Sequence, residues 1–423
     1  MTLAVRYPEY VAVNRRFLKE LPTGWGVSRL RYLCRIGTGT GDTINADPDG
    51  QFPFIVRSPD VLRAVTYDHD GEAILTVGDG AVGEVFHHIT GRFLAHQRVY
   101  VLDGFQGVEP RFFFFYFSAL FRFMARDGSA RTTVDSVRRW MLTDLPVALP
   151  PEDEQRQIAR FLDSETAQID ELIAEQQRLI VLLKERRQSL ITRVAGRGLR
   201  SEVEFKESGL FWCSEVPAHW VVANIRKFAT MKTGHTPSRT NPEYWVDCDT
   251  PWFTLADVWQ LRDGKRTYLG ETANNVSEVG LAHSSAELLP AGTVVLSRTA
   301  SVGFSGVMPI PMATSQDFWN WIPMERLDAT YLMWVFRAMR DEFASLMIGS
   351  THKTIYQPTA AALRIPVPPM DEQLRIAAHL SEQTSKIDTL IAETERFIEL
   401  SKERRSALIT AAVTGQIDVR SVA

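Results

Sequence analysis

Cysteine is nearly absent: three residues in 423, Cys34, Cys213 and Cys248. They are odd in number, far apart and in no CxxC pair, so neither a disulfide framework nor a cysteine-based metal motif is available. A reduced, cytoplasmic setting is expected. Long hydrophobic runs are missing too. The most apolar stretch, RFFFFYFSALFRFMAR from Arg111 to Arg126, falls short of the roughly 20 residues that cross a bilayer, and arginines bound and interrupt it. It reads as a core helix, with no membrane partner. The opening MTLAVRYPEYVAVNRRF carries no long apolar segment with a small-residue cleavage site, so no secretory signal is expected. Nor is positive charge in excess: 47 Lys and Arg against 51 Asp and Glu leave a formal net charge of −4. Any contact with nucleic acid has to come from local basic patches or a basic partner.

Catalytic signatures are equally scarce. There is no phosphate-binding GxxxxGK[ST], no GxGxxG after a strand, no HExxH and no Cys/His metal spacing. NPEYW at Asn241 is similar to an adenine-methyltransferase NPPY tetrapeptide, but it lacks the second proline and a preceding cofactor loop. Asp153 to Gln155 and Asp371 to Gln373 could pass for paired acidic catalysts; a helix start explains them better. No catalytic residue, metal ligand or cofactor is expected on this chain.

What the chain has instead is an internal repeat, the feature to seek first in a sequence of this length. LPTGWGVSRLRYLCRIGTG (Leu21 to Gly39) matches VPAHWVVANIRKFATMKTG (Val216 to Gly234), 195 residues on. PFIVRSPDV matches PWFTLADV at 198, ILTVGDGAVG matches VVLSRTASVG at 220, and LPPEDEQRQIARFLD from Leu149 matches VPPMDEQLRIAAHLS from Val367 at 218. The jump in offset puts nearly all the extra length of the second copy between Val258 and Val294. The reading is an α+β fold: two similar globular blocks joined by two long helices that form an antiparallel coiled coil, with pseudo-two-fold symmetry. The boundaries are 1–148 and 198–366 for the blocks, and 149–197 and 367–423 for the helices with the C-terminal tail.

Each helix is expected to start at its acidic motif. Pro150-Pro151 and Pro368-Pro369 stiffen the exit from the block, and Glu152, Asp153, Glu154, Asp371 and Glu372 favour the positive end of a helix dipole. Apolar residues then follow on steps of about three, four and seven. The helix–helix and partner-docking seam reads as Leu162, Ile169, Leu172, Leu179, Leu183 and Leu190, then Leu380, Ile387, Leu390, Phe397 and Leu408. Polar interruptions are expected at Glu165, Gln176 and Arg186, and at Gln383, Thr394 and Arg404.

The remaining candidates are glycine-flanked loops whose side chains suit base edges or phosphates. In the first block they carry Thr40, Asp79, His96, Gln97 and Arg98, then Arg131 and Thr132. In the second they carry Thr236, Ser238 and Arg239; Arg298, Thr299 and Ser301; Gln316 and Asn320; and His352, Lys353 and Tyr356. Trp25, Trp220, Trp252 and Phe54 read as core, and His87-His88 as a surface or DNA-facing pair rather than a metal site.

Together, P..W, GHTPSR..PEYW....TPWFTLADV, SRTASVG, ATSQDFW and GSTHKTIYQPTAAALRIPVPPMDEQLRIAAHL strongly resemble the DNA-specificity (S) subunit of Type I restriction-modification systems, over almost the whole chain. The resemblance implies two target recognition domains, each reading one half of a split site in double-stranded DNA, with the helices as spacer and docking platform. It also implies a non-catalytic role beside two DNA-methylation (M) subunits that bind S-adenosylmethionine, and restriction (R) subunits that use ATP. The first copy departs from the pattern, with VGDGAVG in place of SRTASVG and no TPSR. The rival reading is a coiled-coil scaffold without sequence-specific DNA contact.

Overall fold

The structure, a computed structural model, describes residues 5–127, 136–299, 301–347 and 354–421. The chain divides into two units, Met1–Gln176 with Arg396–Ala423, and Gln177–Glu395. Each unit combines one globular block with the start of one long helix and the end of the other.

In the first unit six strands form one sheet: β1 (Arg35–Thr38), β2 (Phe52–Ile55), β3 (Val61–Ala64), β4 (His69–Val77), β5 (Phe86–Ala95) and β6 (Val99–Asp103), in the order β1-β6-β4-β5-β2-β3. Neighbours are antiparallel except β2 and β5, which run parallel. The second unit repeats the order as two sheets. Here β7 (Ala229–Thr233), β13 (Phe318–Pro323), β10 (Val294–Ser297) and β11 (Ser305–Val307) form one, and β9 (Asn274–Val276), β8 (Thr250–Phe253) and β12 (Ala313–Thr314) the other. Strands β11 and β12 stand where β5 runs unbroken. Pro309 and Pro311 lie between them, and proline has no N–H to give a ladder. The longer second copy adds its own small core, with Val258, Leu261, Leu269 and Leu289 packed against Val295, Met308 and Phe318.

The phenylalanine-rich stretch is the helix Pro110–Asp127, with Phe112, Phe113, Phe115, Phe117 and Phe121 buried. Its counterpart in the second copy is two helices, Ala329–Ala338 and Arg340–Leu346. The break falls at Met339, whose N–H is shared between the carbonyls of Val335 and Phe336 and whose ψ is 11°. The chain enters and leaves each block as one antiparallel pair: Gly26–Arg29 with Pro146–Leu149, and Val221–Asn224 with Arg364–Val367.

The long helices are Glu152–Arg197 and Met370–Val413, and the expected carboxylates occupy their first turns. The rest of the acidic motif is a fastener. Gln155 is buried, accepts from the Glu109 N–H at 2.7 Å and donates to the Pro150 carbonyl at 2.9 Å. Gln373 accepts from the Asp328 N–H at 2.8 Å and donates to the carbonyls of Arg326 and Pro368 at 2.9 and 2.8 Å. The residue before each glutamine holds the tryptophan of P..W: Trp25 donates to Glu154 at 3.3 Å and Trp220 to Glu372 at 3.0 Å.

Within each unit the two helix segments run antiparallel. In the first, Asp170 binds Arg405 in two bonds of 2.8 and 3.0 Å, while the helix end at Gly415 packs on Pro22 and Trp25, beside Glu154. In the second, Arg187 binds Asp388 at 3.0 and 3.1 Å, and Gly198 packs on Trp220, beside Glu372. Arg187 and Arg405, like Asp170 and Asp388, are 218 residues apart, so the same clasp closes both units.

The seam is shifted from the expected one. Leu162, Ile169, Leu183, Leu380 and Ile387 are buried, and Leu172, Leu190 and Leu408 half-buried. Leu390 and Phe397, however, are 50% and 44% exposed, and Leu179 also faces solvent; Ile391 and Ile398 are buried instead. The physical reason is the alternating three-and-four step of a heptad: from Ile387 it leads to Ile391, Thr394 and Ile398, while Leu390, one residue before Ile391, points about 100° away from it. Of the expected polar interruptions, Thr394 stays in the buried line, whereas others move by one residue. Thr166 and Thr384 are buried where Glu165 and Gln383 were expected, and Arg187 and Arg405 replace Arg186 and Arg404. Thr166 and Thr384 satisfy their hydroxyls on the carbonyls four residues back, both at 2.6 Å. No described helix is long and apolar enough to cross a membrane.

Candidate nucleic-acid interface

In both blocks the backbone gathers the same three loops. The first follows β1 or β7 and is seated by a glycine: a side chain at Gly39 would collide with the Ala95 carbonyl, and one at Gly234 with the Thr314 carbonyl. The second follows β4 or β10. Gly78 donates to the Arg98 carbonyl at 2.8 Å, and Arg298 donates to the Asp317 carbonyl at 3.0 Å. The third loop is the Ala95–Arg98 or Thr314–Asp317 segment itself. A fourth segment closes the group, since Asp79 bridges Ser136 and Thr299 bridges Thr354.

In the first unit the side-chain donors Thr40, Gln97 and Arg98 each meet a carboxylate. Thr40 gives its backbone N–H and its hydroxyl to Asp68 at 2.8 and 3.0 Å. Gln97 donates to Asp42 at 3.0 Å. Arg98 and Arg57 grip opposite oxygens of Asp79 at 2.6 and 3.2 Å. Burial alone would raise the Asp79 pKa, but the hydrogen bonds and charges of the two arginines outweigh it and hold the carboxyl below its ordinary value. His96 is a correction: only 4% exposed, it accepts from the Arg98 N–H at 3.0 Å and shapes the turn instead of facing outward. Burial first, then the charge of Arg57, lower its pKa. Arg131 and Thr132 lie outside the described residues. Asp42 sat in a loop the sequence singled out, but Arg57 and Asp68 carry no local signal of their role.

In the second unit Thr236 donates to Gln316 at 2.7 Å, Ser238 pairs with Thr240 at 2.8 Å, and Arg239 lies 5.8 Å from the centre of the Trp245 ring. Thr299 bonds Thr354, the Ser301 N–H reaches the Thr299 carbonyl at 2.6 Å, and Tyr356 is exposed. Arg298 is half-buried over Trp319, and burial lowers its pKa while Asp317 opposes the shift. Asn320 is the second correction. It sits inside β13, paired to β7 and β10 on both sides, with no exposure, and its side chain donates to Thr314 at 2.7 Å. His352 and Lys353 lie outside the described residues.

The other sequence candidates have structural places. Asn241 caps the short helix Pro242–Trp245 by accepting from the Glu243 N–H. His88 bonds Glu72 at 2.8 Å and Arg111 at 3.2 Å, and His87 lies 3.3 Å from the Ser58 carbonyl. Trp220, Trp252 and Phe54 are buried, and Trp25 packs partly buried against the first core.

Comparison with known proteins bears on both blocks at once. A family model described as "Type I restriction modification DNA specificity domain" matches residues 22–181 and again 217–399. The Type I restriction enzyme EcoDI specificity subunit of Escherichia coli is 24% identical over 417 residues, which cover 94% of this chain and 90% of that protein. The MjaIX specificity subunit of Methanocaldococcus jannaschii is 31% identical over 184 residues, 43% of this chain and 41% of that protein. Among solved structures, a chain from work on complex assembly and conformational transition of the type I R-M system aligns with a TM-score of 0.73 at 16% identity, covering 94% of this chain and 99% of that one. The HsdS subunit from Thermoanaerobacter tengcongensis aligns with a TM-score of 0.54 at 16% identity, covering 94% and 98%.

Proposed function

The chain belongs to the family of Type I restriction modification DNA specificity domains, and from that premise we propose how it works. It is the DNA-specificity subunit of a Type I restriction-modification complex. The recognition domains, residues 1–148 and 198–366, each read one half of a bipartite site in double-stranded DNA. The reading side chains are Thr40, Asp79, Gln97 and Arg98, with Arg131 and Thr132, in the first; and Thr236, Ser238, Arg239, Arg298, Thr299, Ser301, Gln316 and Tyr356, with His352 and Lys353, in the second.

One observation carries this reading: two copies of one loop framework hold different chemistry at equivalent positions. Gly78 stands where the second copy has Arg298, Asp79 where it has Thr299, and Arg98 where it has Asp317. Equal scaffolds with exchanged donors and acceptors are what two different half-sites require. A coiled-coil scaffold accounts for the helices but gives no reason for the exchange.

The two long helices act as the spacer that sets the distance between half-sites. A helix of 46 residues is about 69 Å long at 1.5 Å per residue, close to two turns of B-DNA at roughly 34–36 Å each. Their solvent faces dock two methylation subunits, which supply S-adenosylmethionine chemistry; restriction subunits supply ATP-driven cleavage, and the assembly works in the cytoplasm. Support for a twofold partner comes from the exposed leucines Leu179 and Leu182, which recur 218 residues on as exposed Phe397 and Leu400.

The test is an exchange of residues 15–148 for those of a relative, with methylated adenines mapped across the genome. One half of the methylated sequence changes and the other half and the spacer stay. Methylation at an unchanged target would refute the reading.

A further inference from the structure

Resting on that reading, we infer that Arg298 reads a single guanine in the half-site of the second unit, with Trp319 as the fixed platform for its guanidinium. Its backbone is pinned on both sides: the N–H donates to the Asp317 carbonyl at 3.0 Å, and the carbonyl accepts from the Ile355 N–H at 3.0 Å. The guanidinium carbon lies 4.2 Å from the centre of the Trp319 ring, within the range of a cation–π contact. Trp319 is itself immobile, 3% exposed and bonded through Nε1 to the Ile355 carbonyl at 2.9 Å.

What this geometry lacks is an acceptor. The Arg298 Nε is buried without a hydrogen-bond partner among the described residues. Arg57 and Arg98 are occupied by Asp79, Arg187 by Asp388, and Arg337 by the carbonyls of Gly264, Arg266 and Ser305, while Arg239 has a looser ring contact, 5.8 Å from the centre of Trp245. Arg298 keeps its charge under all ordinary conditions, and no described residue accepts from its terminal Nη pair, so that pair, rather than the buried Nε, is the donor fork left for a ligand. The major-groove edge of guanine offers two adjacent acceptors, N7 and O6, that match such a fork; adenine and cytosine each place a donor at that edge. A phosphate also accepts from arginine, but a base edge exploits a guanidinium whose plane is preset. The first unit has no equivalent, since Gly78 replaces Arg298 and Tyr100, bonded to the Val137 carbonyl at 3.2 Å, replaces Trp319.

The experiment uses the full chain assembled with its methylation subunits. The wild-type methylated sequence is mapped first, and duplexes carrying 7-deazaguanine, which lacks N7, are then scanned along the second half-site. One position weakens wild-type binding about tenfold. Arg298→Ala loses the same factor on ordinary DNA, tolerates any base at that position, is indifferent to 7-deazaguanine there, and leaves the first half-site unchanged. Arg298→Lys, which keeps charge without the fork, also loses the guanine preference. The inference is overturned if no guanine in that half-site depends on N7. It is also overturned if Arg298→Ala weakens all sequences alike with a shallower salt dependence, the mark of a phosphate contact. Should Arg298→Ala fail to fold, the 7-deazaguanine scan with Arg298→Lys decides alone. A wild-type complex that methylates no bipartite sequence would refute the proposed function instead, a distinguishable result.

Discussion

Gln373→Ala removes a side chain that, among the described residues, makes its hydrogen bonds to three backbone groups. The Asp328 N–H and the carbonyls of Arg326 and Pro368 lose partners at 2.8, 2.9 and 2.8 Å, in a site with no solvent exposure. A buried group left unsatisfied costs about 1–3 kcal/mol. Allowing water to reach one of the three, the second unit loses about 3–5 kcal/mol. Gln155→Ala is milder, about 2–3 kcal/mol by the same reasoning, because its third bond, to the Gly107 carbonyl, is 3.5 Å long. The assay is denaturant unfolding followed by tryptophan fluorescence. Eight of the ten tryptophans lie in the second unit, so the signal reports on that unit. Gln373→Glu separates hydrogen bonding from packing: it keeps the volume and the acceptor for Asp328 but sets a carboxylate oxygen against two carbonyls. It is expected to be at least as damaging as alanine near neutral pH. A loss below 1 kcal/mol for Gln373→Ala, or a neutral Gln373→Glu, would refute the fastener argument.

The two helix clasps predict unequal couplings in double-mutant cycles. Arg187–Asp388, with side chains 13% and 14% exposed, loses about 2–4 kcal/mol when one partner is removed; Arg405–Asp170, at 35% and 52%, is worth under about 1 kcal/mol. Equal couplings would contradict the burial argument. His87 and His96 both have lowered pKa values because burial penalises the charged form. The unfolded chain then binds more protons below about pH 6.5, so the first unit is destabilised as pH falls from there; His87→Gln combined with His96→Gln flattens that slope in pH-dependent thermal unfolding. Phe397→Glu leaves unfolding unchanged within about 0.5 kcal/mol, as an exposed position should. By contrast, Ile398→Glu unfolds the helix pair, which circular dichroism distinguishes.

Much of the architecture is written in local chemistry. The repeat, the acidic helix starts and the phenylalanine helix are legible because proline, carboxylate and apolar periodicity act over a few residues. The phase of the seam was harder. Leucine and phenylalanine at 390 and 397 resemble core positions by type, whereas the buried line at that level runs through Ile391, Thr394 and Ile398, and at Ser401 a hydroxyl bonded to the carbonyl four residues back fills it. The loops were recognisable as a set through their recurrence, but His96 and Asn320 were not separable from their exposed neighbours. Their burial depends on which strand lies alongside: β2 supplies the Ile55 carbonyl that accepts from the His96 N–H, and β7 and β10 enclose Asn320.

By itself, then, the amino-acid order determines that one framework is built twice, where each helix begins, and which loops are free to differ. Only the tertiary structure decides how individual charges are used. Arg187 meets Asp388 across 201 positions, Arg98 and Arg57 share Asp79, and Arg298 rests on Trp319 with its Nε unpartnered among the described residues. The physical reason is that an ion pair or a stacked cation is fixed by distance and burial between groups remote in the chain, and no short window of sequence contains both partners.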